Sequence, residues 1–129
     1  MKKLLILKYL ILLIEGYLMK VITVPLSQEA MNRLDFDENI EGDLLELNVL
    51  PKEYEYLKNV GYFFQLNKQL DLMIDEYEVE KILYKYLFKA LEITNNLSSD
   101  HKENGELWFN LKELINVAIK KRTGVFFFF

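Results

Sequence analysis

Asp35, Asp37, Asn39, Glu41, Asp43 and Glu46 are oxygen-bearing residues at positions 1, 3, 5, 7, 9 and 12 of a twelve-residue calcium loop. In such a loop carboxylate and amide oxygens surround a hard cation, and the sharp turn at position 6 calls for glycine. This chain has Ile40 there. The residues from Leu47 onward also read as a strand, where a calcium loop needs an exit helix. No metal site is therefore expected, and an acidic-cluster metal-binding protein or enzyme stands only as the alternative reading of the segment.

The same stretch supports a second chemistry. Between Leu34 and Pro51 lie six acids and no base, and Glu53, Tyr54, Glu55 and Tyr56 follow after Lys52. Carboxylates steer a basic partner into register. Tyrosine buries a large ring at an interface while keeping a polar tip. The candidate partner-binding residues are Asp35, Asp37, Glu38, Glu41, Asp43, Glu46, Glu53, Tyr54, Glu55 and Tyr56. An immunity or antitoxin protein would use such residues, its carboxylates taking the sites that a basic toxin such as a nuclease keeps for substrate phosphates. The expectation is a small acidic protein-binding module, cytoplasmic and bacterial, and not an enzyme.

Other chemistry finds little support. His101 is the only histidine and sits in a polar run. The five glycines, at 16, 42, 61, 105 and 124, are too scattered for a phosphate-cradling loop. Ser27, Ser98 and Ser99 lack the glycine frame of a nucleophile elbow. The chain has no cysteine, which removes disulfides, thiol nucleophiles and thiolate-held metals. No cofactor is expected. The formal charge is −4 over 129 residues, and only Arg33 and Arg122 are arginines. An acidic body with few arginines opposes nucleic-acid binding.

The elements that must position these residues read as follows. Lys20–Pro25 alternates as a strand, which Pro25 ends or places at an edge. Ser27 caps a helix over Gln28–Leu34, an acidic loop covers 35–43, and Leu44–Leu50 is a second strand. Pro51 opens a helix to about Asn59, and Gly61 breaks it. Tyr62, Phe64 and Leu66, then Leu70, Leu72 and Ile74, alternate around Asn67-Lys68-Gln69, which predicts a hairpin over 62–74. A helix then runs from Asp75 or Glu76 to about Leu97 on Val79, Ile82, Leu83, Tyr86, Leu87, Ala90 and Leu91, with Glu76, Glu78 and Glu80 at its positive end. After the polar loop 98–105 the last helix spans Glu106–Arg122, with Gly124 as its stop. Trp108 reads as a core residue beside the last helix's apolar stripe. The four terminal Phe residues read as an edge strand burying alternate rings, or as a frame running through a T-rich terminator. The whole is a small single-domain α+β fold, a short antiparallel sheet packed on two long C-terminal helices.

Residues 1–18 have two open readings. The apolar run Leu4–Ile14 contains Lys8 and is too short to span a membrane, and no small-residue cleavage site follows it. Codons for Glu15-Gly16 can spell a ribosome-binding sequence just ahead of Met19. The segment is thus a mis-assigned start or an N-terminal hydrophobic leader, the latter either a helix packing on the domain or an export or membrane anchor, with 19–129 as the domain. Without it three lysines and one glutamate are lost, and the formal charge moves from −4 to −6. A membrane partner is not expected, although a membrane-associated protein using residues 1–18 is a further alternative. Tyr84, Tyr86 and Phe88 exceed what a core needs, which leaves room for a homodimer.

Overall fold

The computed structural model describes residues 20–129, so the readings attached to residues 1–18 and Met19 lie outside the described residues. Strands β1 (Lys20–Pro25) and β2 (Leu44–Val49) flank helix α1 (Gln28–Asp35). Helices α2 (Pro51–Asn59) and α3 (Tyr62–Leu70) follow, then β3 (Val79–Leu83), α4 (Leu87–Asp100), α5 (Gly105–Lys121) and β4 (Gly124–Phe128). The four strands form one antiparallel sheet in the order β2-β1-β4-β3. The small α+β domain with its C-terminal helices is as the sequence predicts.

Pairing explains the position of Pro25. The Leu26 N–H donates to the Asp43 carbonyl at 2.8 Å. Amides alternate sides along an antiparallel strand, so Ile22 and Val24 face β2, whereas Val21, Thr23 and Pro25 face β4. Proline has no N–H to offer, and the β1–β4 ladder stops at Thr23 opposite Phe126. Pro25 thus ends the strand, but β1 is interior and not an edge.

One sheet face, carrying Ile22, Val24, Val49, Ile82, Val125 and Phe127, packs with the helices into the core. Residues from α2 to α5 complete it, among them Leu57, Tyr62, Leu66, Leu87, Trp108 and Leu111. Aromatic rings knit the far elements together: Phe129 lies 5.4 Å from both Tyr54 and Phe63, and Tyr62 lies 5.4 Å edge-on to Trp108. The terminal Phe run is therefore one of the sheet's two interior strands and supplies part of its core. Phe127 and Phe129 face the helices, and Phe126 is buried on the opposite face. It is neither an edge strand nor a tail.

Three further expectations are corrected. The 62–74 hairpin is helix α3 followed by an irregular return. Tyr62, Phe63, Leu66 and Leu70 are buried at helical spacing, while Phe64 is 63% exposed. The Asn67 side chain pins the return by accepting the Ile74 N–H at 2.7 Å and donating to the Ile74 carbonyl at 3.0 Å. The long helix from residue 75 is instead β3, a 3-10 turn (Tyr84–Tyr86) and α4. Hence Glu76, Glu78 and Glu80 do not serve a helix dipole, and residues 98–100 close α4. The stop of α5 is Arg122, in the left-handed region at φ 56°. Gly124 lies inside β4, where a Cβ would sit 2.7 Å from the Ile82 carbonyl oxygen.

Candidate functional site

The acidic segment leaves α1 and enters β2 through a tightly tied loop. The Phe36 and Glu38 N–H groups donate to the Arg33 carbonyl at 3.2 and 2.8 Å, and Asp37 N–H donates to Leu34 at 3.1 Å. Asp37 (φ 55°) and Gly42 (φ 86°) take left-handed turns. Glycine adopts that geometry freely, whereas Asp37 accepts a modest local cost. Arg33 then clamps the loop to α1 as a planar fork, its Nε 2.7 Å from Asp43 Oδ2 and its Nη2 2.6 Å from Oδ1. Asp43 Oδ2 also accepts the Ile40 N–H at 3.0 Å, and buried Asn39 donates to the Ala30 carbonyl.

This geometry sets the charge state. Hydrogen bonds from Arg33 hold the Asp43 carboxyl well below the usual carboxylate range, with burial opposing and the Ile40 N–H assisting. The same pair raises the Arg33 guanidinium. Asp43 and Asn39 turn inward to protein partners, so the six oxygens at calcium-loop spacing do not converge. Among the described residues no group of three or more His, Asp or Glu is placed to hold a metal.

The ten candidate residues separate into distinct roles. Asp35, Glu38 and Glu41 are exposed on the loop, and Asp37 is half-buried beside them. Asp43 is buried in the clamp. Glu46 and Glu55 are exposed on β2 and α2. Glu53 accepts the Leu50 N–H at 2.9 Å and so caps the start of α2. Tyr54 is in the core, its hydroxyl pKa pushed up to about 12 by burial and then by nearby carboxylates, while the Lys20 ammonium lies 4.7 Å from its ring. Tyr56 accepts the Trp108 indole N–H at 3.1 Å. Glu53 and Tyr56 also line an open groove of about 760 Å³ with Glu103, from the turn before α5, and Glu106, from its start.

The loop adds two residues that charge pattern alone misses. Phe36 is 72% exposed and Ile40 is 53% exposed, directly among Asp35, Asp37, Glu38 and Glu41. A large apolar side chain in the middle of a charged run was the available signal. No protein-family model, curated protein or solved structure matches the chain. Among the described residues no helix is long and apolar enough to cross a membrane.

Proposed function

We propose that the chain is a small acidic protein-binding module that receives a basic partner on its 35–43 loop, as an immunity or antitoxin protein would cover the active site of a basic toxin such as a nuclease. The observation that carries this reading is the loop itself, tied to α1 by the Arg33–Asp43 fork while it exposes Phe36 and Ile40 next in sequence to Asp35, Asp37, Glu38 and Glu41. A loop ordered before encounter loses less entropy on binding. The carboxylates speed encounter with a cation-rich surface, and the apolar pair slows release. Such a protein acts in the cytoplasm, beside the toxin it neutralises.

The test uses the product of the adjacent reading frame as the partner, with association measured against ionic strength. Asp35→Lys with Glu38→Lys slows association by about tenfold at low salt and flattens its salt dependence. Phe36→Ala instead raises the dissociation rate by about tenfold or more. Unchanged kinetics in both variants overturn the reading.

A further inference from the structure

The acidic chain is not evenly acidic. Residues 81–91 and 114–129 contain six bases and no acid. The sheet brings these two stretches together, with Leu83 of β3 opposite Gly124 of β4. Lys81, Lys85, Lys89, Lys120, Lys121 and Arg122 are all exposed. The Arg122 guanidinium lies 5.9 Å from the Tyr84 ring, which in turn meets Phe88 edge-on at 6.3 Å. Apolar surface accompanies the charge, as Val79 is 67% exposed and Leu83 is 47% exposed.

The end of α1, where the acidic loop begins, shares a groove with the β3 side of this corner. Register places Val79, Lys81 and Leu83 on the same sheet face as Phe126 and Phe128, away from the helical core. A groove of about 300 Å³ along that face is lined by Leu34 and Asp35 from the end of α1, by Val79, Glu80 and Lys81 of β3, and by Phe126 and Phe128 of β4. Phe36 follows Asp35 directly. That face thus carries Asp35 and Lys81 on one groove, with Lys85 in the turn just beyond β3 and with Phe36, Val79 and Leu83 as exposed apolar side chains nearby.

We propose that this face binds a second copy of the chain about a two-fold axis. The acidic loop of each copy lies against the basic β3–α4 corner of the other, and Phe36, Val79 and Leu83 form the apolar seam. A patch with adjacent halves of opposite sign is complementary to itself, and a two-fold contact closes without leading to a filament. A polyanion suits the corner less well. Asp35 stands in the same groove and repels phosphate, the corner has one arginine to five lysines, and cations already lie over Tyr84 and Tyr86. Self-association needs no partner, so it is measured apart from the toxin reading, although both place a contact on the acidic loop.

Sedimentation velocity on the full chain over a wide concentration range tests the assembly. The expected species is a dimer whose dissociation constant rises about tenfold between low and high salt. Asp35→Lys with Glu38→Lys, and Lys81→Glu with Lys85→Glu, each give monomers with unchanged circular dichroism. An equal mixture of the two variants restores the dimer, as does a chain carrying all four reversals. Val79→Ser weakens the dimer without altering charge. Both contacts use the acidic loop, so they compete for it: the monomeric Lys81/Lys85 variant still binds the toxin partner, at least as fast as the wild type, which tells failure of the dimer from failure of the toxin reading. A wild-type chain that stays monomeric throughout overturns the proposal, as does a mixture that fails to reassociate. So does a monomer that binds a fluorescent single-stranded oligonucleotide or phosphatidylserine vesicles through Lys81 and Lys85.

Discussion

One ion pair ties the far end of the acidic loop back to α1. Arg33 reaches Asp43 with two nitrogens, and the carboxylate in turn holds Ile40. An ionised carboxylate accepting three hydrogen bonds is favoured over its protonated form, so the Asp43 pKa is lower folded than unfolded. The sign follows from linkage. Stability from this group is complete above its unfolded pKa of about 4 and is lost as pH falls toward and through the lower folded value. Asp43→Asn keeps the shape but removes the charge. The variant should melt below the wild type at neutral pH, and the difference between them should narrow as pH falls below about 4. Thermal unfolding by circular dichroism across that range measures it. A constant difference at all pH values would show that the fork contributes through packing and not through charge. Elsewhere a buried polar pair is neutral: Thr94 gives its hydroxyl proton to the Ala90 carbonyl at 2.7 Å, so Tyr62 must donate to Thr94 at 2.9 Å. Burial of that phenol pushes its pKa up to about 12.

At the scale of elements, Gly124 shows how closely β3 and β4 must meet. A Cβ at this position would lie only 2.7 Å from the Ile82 carbonyl oxygen, so Gly124→Ala forces two backbones apart at the end of the ladder. The expected cost is about 1–3 kcal/mol, read as a lower denaturant midpoint with an unchanged slope. An alanine that leaves the midpoint in place would mean the ladder yields without strain. The same pairing explains what was legible in the sequence. Local signals sufficed for β1, α1, β2 and α2, where Ser27, Pro25 and Pro51 mark the boundaries, and for α5, with Glu106 at its start and Lys120 and Lys121 at its end. They misled at β3, because Val79, Ile82, Leu83, Tyr86 and Leu87 match a helical stripe and no glycine or proline separates residues 75 to 97. What makes 79–83 a strand is the exposed ladder of β4, about forty residues later in the chain, and that is a tertiary fact. At 62–70 the adjacent Phe63 and Phe64 fit either period, and only packing against Tyr54 and Phe129 decides which ring goes inside. In the candidate site, charge was legible and burial was not. Asp43 and Tyr54 looked like their exposed neighbours until Arg33 and the aromatic core claimed them.

For the whole molecule, the strand that comes last in sequence is the one the sheet needs at its centre. In the order β2-β1-β4-β3 only β4 joins the first half of the domain to the second. Until it docks, β1 and β2 form a hairpin-like pair around α1, β3 has no partner strand, and the core lacks Val125, Phe127 and Phe129. A two-stranded pair with one open face is marginal in water, and contacts of such long sequence separation form slowly. Removing residues 126–129 should therefore abolish cooperative unfolding, not merely lower its midpoint. The truncated chain should keep part of its helical circular dichroism, lose its near-ultraviolet aromatic signal and bind a hydrophobic dye, the signature of a collapsed state without fixed packing. Phe127→Ala alone, at 2% exposure, should leave the transition cooperative and cost about 3–5 kcal/mol. The contrast between the two separates loss of a strand from loss of a side chain. If the truncated chain instead unfolds in one sharp step with its near-ultraviolet signal intact, then β1 and the helices hold the core without the terminal strand, and the phenylalanine run is packing laid over a fold already complete.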